Sequence, residues 1–391
     1  MIFILAVGLL TLGGFSYIKL ISNPYPELEE INGKDLRFKE LNKIFTNIAE
    51  AKGAEYAFEV LGRAELPPNT DTHLLGHTVG DVLYKDEGVD GITVCTKDFR
   101  NACSHSIVVG HFLKNGENAL GDIFEACQKA PGGSGAYGMC YHGLGHGVLV
   151  YTNYDLEKTA VLCEKSKPVK QQGMESAECI GGAIMEIVGG GQHNPEAWAA
   201  SREKYLPGLS NPLYPCTASF MPSATRYHCL LYLTPHLWEQ VGGDSGNLKA
   251  EDFESAFRLC ETLPATNTKE EDACYGGFGK EFVTLVKSRD IRQIDNFSKE
   301  NSKQVYDWCL LAEKEEGIKA CIRHAVNSLY WGGENNVDAS IGFCAKIEKS
   351  EHQSECFKHL SEIIVYYSRN DQNETAKLCS KIPENFRTYC K

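Results

Sequence analysis

Three Gly-His dipeptides, Gly76-His77, Gly110-His111 and Gly145-His146, recur 34 and 35 residues apart, and each has a second histidine just upstream: His73, His105 and His142. Six of the 12 histidines therefore share one register. Imidazole is the commonest metal ligand and the side chain that titrates nearest neutrality, so histidines in register suggest a shared site. His73/His77 and His142/His146 are i,i+4 pairs, which on a helix project from one face a turn apart and can chelate. His105 and His111 are six apart and cannot share a face cleanly. One of them is expected to join His77 and His146, and the glycine before His111 favours that residue. Asp81, four residues after His77, is a candidate carboxylate ligand or a partner of a ligand. Tyr84, Tyr137, Tyr141 and Tyr151 lie near the histidines in sequence and are candidates to line the site.

Imidazole ligation suits zinc, copper or iron, and ligand type alone does not choose among them. There is no HExxH, so the glutamate base of the common zinc proteases is missing. Haem-attachment, Walker, nucleophile-elbow and dinucleotide-binding motifs are absent as well. Three readings stand: a metal-binding protein, a metal-free scaffold that offers its surface to a protein partner, and a metal-dependent enzyme of undefined reaction.

The elements that would position these residues are marked by cysteine. The 16 cysteines fall in adjacent couples: Cys95/Cys103, Cys127/Cys140, Cys163/Cys179, Cys216/Cys229, Cys260/Cys274, Cys309/Cys321, Cys344/Cys356 and Cys379/Cys390. Even number and the lack of CxxC favour a disulfide framework in an oxidising compartment over zinc ribbons or a redox centre. A rival pairing, such as Cys103 with Cys127, would strand Cys95 and Cys390 at opposite ends, so pairing within couples is preferred.

Around the cysteines runs a template: a helix ending in Ala-x-x-Cys or a variant, a polar loop, and a second cysteine opening the next helix. The unit is about 35 residues, the length of a helical hairpin. The expected fold is all-α, an α-solenoid of stacked hairpins stapled by disulfides, which resembles tetratricopeptide arrays in architecture only. Within the template, Cys140-Tyr-His142-Gly-Leu-Gly-His146 aligns with Cys274-Tyr-Gly276-Gly-Phe-Gly-Lys280. The scaffold does not need the histidines, which points to a site grafted onto the first three repeats. Gly143, Gly145 and Gly147 are poor helix formers, a cost that close helix packing or close ligand approach would offset.

Residues 2–21 are apolar almost throughout and long enough to span a bilayer. Without a basic flank before it or a small-residue cleavage site after it, the run reads as an uncleaved signal-anchor holding the rest outside the cytosol. The expected organisation is an anchor at 1–22, a linker at 23–35, a leading helical segment at 36–68, histidine-rich repeats at 69–151 and cysteine-paired repeats at 152–391. Glycines and prolines at 189–215 suggest an insertion loop. A net charge of −13 with no basic cluster excludes nucleic acid as a partner class and leaves the membrane, through the anchor, as the expected one.

Overall fold

Short polar side chains open many of the helices by capping their first free N–H groups. Asp71 accepts from the Leu74 amide, Asp155 from Lys158, Asn267 from Glu270 and Asp371 from Glu374. The computed structural model describes residues 24–390 apart from 97, 167–172, 265–266, 293–296, 332–336 and 369–370. Among these no strand occurs.

The chain begins with α1 (Leu28–Ile31), α2 (Phe38–Lys52) and α3 (Ala54–Arg63), followed by α4 (Thr72–Glu87) and α5 (Asp98–Asn115). Next come α6 (Leu120–Lys129), α7 (Gly133–Tyr151), α8 (Leu156–Lys165), α9 (Met174–Gly189) and α10 (Pro195–Tyr205). The second half holds α11 (Arg226–Gln240), α12 (Ala250–Cys260), α13 (Thr268–Leu285) and α14 (Lys299–Leu310). It closes with α15 (Glu315–Trp331), α16 (Val337–Cys344), α17 (Ser350–Ser368) and α18 (Gln372–Lys381).

All 16 cysteines are paired within their couples, with Cα atoms 5.5 to 6.1 Å apart. The bridges are Cys95–Cys103, Cys127–Cys140, Cys163–Cys179, Cys216–Cys229, Cys260–Cys274, Cys309–Cys321, Cys344–Cys356 and Cys379–Cys390. They point to an oxidising, extracytoplasmic environment.

The position of the second cysteine within its helix needs correction, because in most cases it does not open the helix as expected. Cys140, Cys179, Cys274, Cys321 and Cys356 lie more than a turn inside α7, α9, α13, α15 and α17, since the stretches before them are already helical. Cys103 and Cys229 stand where expected or nearly so: Cys103 follows the left-handed residues Phe99–Asn101 of α5, and Cys229 falls within the first turn of α11. Cys229 and Cys321 are nonetheless fully buried, like the other bridged cysteines of the central helices, so their sulfurs belong to the core and not to a surface loop.

Helices α4, α5, α7, α9, α11, α13, α15 and α17 form a row in which each packs against the next. The shorter α8, α12 and α16 each lie across two members of that row. Glycine sets the spacing. A Cβ on Gly145 of α7 would overlap the Cys179 carbonyl of α9, and one on Gly182 of α9 would overlap the His142 carbonyl of α7. On the other side of α7, a Cβ on Gly143 would come within 2.7 Å of the His105 Cα of α5. Backbones this close explain glycines that helix propensity alone disfavours.

In a solenoid each repeat touches only its neighbours. Here the row also meets itself. Nη1 of Arg292, beyond α13, donates to the carbonyls of Leu61 (2.6 Å) and Ala64 (2.7 Å). The Asn69 amide donates to the Ser288 carbonyl at 3.0 Å, and Nη2 of Arg100 to the Ser328 hydroxyl at 3.0 Å. Late helices thus face early ones across two adjoining cavities of about 460 and 250 Å³.

The 189–215 stretch, read as an insertion loop, contains α10. Its Asn194-Pro195 is a helix start, with the Asn194 side chain accepting from the Ala197 amide and proline in the first turn. No helix among the described residues is long and apolar enough to cross a membrane, and the expected anchor at 1–22 lies outside them.

Candidate metal centre

The cluster starts at the junction of α4 and α5. Phe99, Arg100 and Asn101 have φ of 53°, 54° and 63°, a left-handed turn inside α5. Three such residues in succession are costly for L-amino acids. The turn releases the Phe99 carbonyl from helical pairing, and it accepts from Nδ1 of His73 at 2.6 Å. One turn further along α4, Nδ1 of His77 donates to the Ser106 hydroxyl at 3.1 Å, whose own proton goes to the His77 carbonyl at 2.9 Å. A carbonyl only accepts, so His73 Nδ1 carries hydrogen, and with the Ser106 proton on the His77 carbonyl His77 Nδ1 carries one too. In that tautomer both Nε2 atoms carry lone pairs, and they lie 3.1 Å apart.

His105 of α5 completes the group: ring nitrogens of His73, His77 and His105 lie within 4.8 Å of one another. His105 is fully buried, and neither of its nitrogens is hydrogen-bonded. From α7, the His146 ring comes to 5.8 Å from His77 and 5.9 Å from His105, and the His142 ring to 5.5 Å from His105. Five of the six registered histidines converge.

Nδ1 of His146 donates to Oε2 of Glu186 on α9 at 3.0 Å, leaving Nε2 buried without a partner. Glu186 also accepts from the Tyr154 hydroxyl and the Gly191 amide, each at 2.9 Å. Burial pushes this carboxyl up, but His146, Gly191 and Tyr154 together hold it below its ordinary value. The Gly189-Gly190-Gly191 run wraps this carboxylate. A side chain at Gly190 would collide with it, and Gly191 has a φ of 94°. A carboxylate fixing the far nitrogen of an imidazole is the usual outer support of a metal-ligating histidine.

Burial strips water from the cationic imidazoles. It lowers His73 to about 4 and holds His77, His105 and His142 well below the usual histidine value, each ring further opposing charge on its neighbours. At neutral pH these groups are lone-pair donors. The chain matches no protein family, no curated protein and no solved structure.

His111 is outside the cluster, which corrects its preference over His105. Its Nε2 donates to Asp122 at 3.1 Å, and its ring lies edge-on to Tyr84. Six residues turn a helix by about 240° net, so when His105 faces α4 and α7 its companion points elsewhere. Asp81 is not among the grouped donors. It lies a turn beyond His77, exposed but ringed by enough protein that desolvation raises its carboxyl against the opposing effects of Ser106 and His193.

Spacing offered no hint of Glu186, 40 residues from His146, nor of His193, whose charge would bear on both His77 and Asp81. Tyr84, Tyr137, Tyr141 and Tyr151 line neither cavity, whereas Tyr232, Tyr366 and Tyr367 do. A usable signal did exist for Lys280. It occupies the repeat position of His146, and both line the larger cavity, where Lys280 pairs with Glu281 and stands 4.9 Å over the Tyr232 ring.

Proposed function

We propose that this is an extracytoplasmic metal-binding protein whose ion is held by His73, His77 and His105, with His146 as a fourth donor. The observation that carries the reading is the 3.1 Å approach of the His73 and His77 Nε2 atoms while both Nδ1 atoms are occupied. Two lone pairs facing each other away from bulk water repel unless a cation lies between them. Nitrogens bound to one ion at about 2.0–2.1 Å stand roughly 3.0–3.4 Å apart, which matches. The neutral state of the rings and the carboxylate behind His146 support the same reading. Zinc, copper and iron all accept such donors. In this reading the fold is a hairpin solenoid curled back on itself, tethered to a membrane by the apolar run at 2–21.

The test is elemental analysis of protein purified without a histidine tag. The parent should retain a transition metal at neutral pH, and His73→Gln with His77→Gln should lose it while keeping helical content and all disulfides. A parent that binds none would leave the interaction-scaffold reading in front. A metal-dependent enzyme is the second reading, favoured by the cavity of about 460 Å³ in which His146 and Lys280 meet.

A further inference from the structure

We propose that His142 and Met185 form a second, soft-metal site beside the imidazole cluster, and that its ion is copper(I). Nε2 of His142 lies 3.4 Å from Sδ of Met185. Donors held at about 2.0 Å for nitrogen and about 2.3 Å for sulfur stand roughly 3.4 Å apart at a near-tetrahedral angle.

Proton placement follows here as it did for His73 and His77. Nδ1 of His142 is buried without a hydrogen bond and faces Oε2 of Glu178 at 3.8 Å. With the proton on Nε2, Nδ1 would turn a lone pair toward a carboxylate. With the proton on Nδ1, that clash becomes an attraction, and Nε2 presents its lone pair to the thioether. A soft cation between nitrogen and sulfur satisfies both.

Composition points the same way. Every cysteine is consumed in a disulfide, so thioethers are the only sulfur donors left. The chain has five methionines, and Met139, Met174 and Met185 line one cavity together with His73, His105 and His142. Met174 is engaged by the Tyr366 hydroxyl at 3.3 Å, whereas Met185 meets an imidazole. Thioether donors select copper(I) over zinc and iron, which gives this site a metal preference that the imidazoles alone lack. Neither His142 nor Met185 belongs to the His73–His77 pair, so the two sites can be told apart.

The experiment is an anaerobic copper(I) titration of the full chain against a chromogenic chelator, followed by X-ray absorption at the copper edge. The parent should show sulfur as well as imidazole around copper. Met185→Leu, a volume-conserving swap that cores tolerate well, should remove the sulfur and weaken copper(I) binding by more than about tenfold, the loss that removing even a hydrogen-bond partner of a ligand can cause. Zinc uptake should be unchanged in that variant, and Met139→Leu should behave as the parent. A parent whose copper is surrounded only by nitrogen or oxygen overturns the proposal whether or not the variants fold. So does sulfur that is lost in Met139→Leu instead. If zinc still binds in those cases, the first site stands; a parent that binds neither ion overturns both.

Discussion

A neutral imidazole has one N–H and one lone pair, and burial makes each of them expensive to leave unmatched. His105, with both nitrogens orphaned at zero exposure, is the extreme case here. The cost takes a definite form in metal-free protein. Because His73, His77, His105 and His142 all titrate below the ordinary histidine value of 6.5, the unfolded chain takes up protons first as pH falls. Stability then depends on pH with the unfolded state binding more protons, so it drops on acidification. Urea denaturation of metal-stripped protein should therefore give a steady loss of stability from about pH 6.5 down to about 4, where His73 itself protonates in the folded state. His105→Leu should be no less stable than the metal-free parent at neutral pH and should flatten this acid slope. An equally steep slope in the variant would show that the buried rings are not its source.

At the scale of elements, the site exists because helices approach more closely than ordinary side chains permit. Gly145 and Gly182 face the backbone of the opposite helix, and that contact brings Glu186 on α9 to His146 on α7. Gly145→Ala should thus cost about 1–3 kcal/mol or more through overpacking and should also weaken metal binding by moving α7 and α9 apart. Gly121→Ala is the matched control. It sits in α6 with nothing within 4 Å of a new Cβ, and should stabilise by about 0.5–1 kcal/mol from helix propensity alone. Thermal melts and metal titration of the two variants read both effects, and a Gly145→Ala protein that melts and binds like the parent would show that the glycine contact does not hold the site.

For the whole molecule, the decisive contacts are those that bridge chain-distant segments. Arg292 is held in place by Asp290 and donates to two carbonyls at the end of α3. Arg292→Ala should lose about 1.5–3 kcal/mol, the range for hydrogen bonds from a charged donor. It should also raise hydrogen exchange at the Asn69 amide, which pairs with Ser288 beside it. Unaltered protection at Asn69 would mean that other contacts close the row.

Much was legible in the residues themselves. Cysteine couples 8 to 16 apart could be paired because residues flanking a hairpin loop meet whatever the rest of the chain does. Where a cysteine sits along its helix was less legible: Cys321 was expected at the start of α15 and lies inside it, because Glu315-Glu316 already form its first turn. The i,i+4 spacing likewise put His73 with His77 and His142 with His146 on shared faces, since helical periodicity is local. What spacing could not decide was rotation and partner. Whether His105 or His111 turns inward depends on which face of α5 packs against α4 and α7, a tertiary choice made by Gly143 and the small residues opposite. Glu186 and Met185 reach His146 and His142 because α9 packs against α7, and Lys280 joins them because the row meets itself and brings α13 to the same cavity. Helices, staples and imidazole pairs follow from neighbours along the chain. The convergence of five rings, and what stands behind and across from them, comes from packing between helices far apart in sequence.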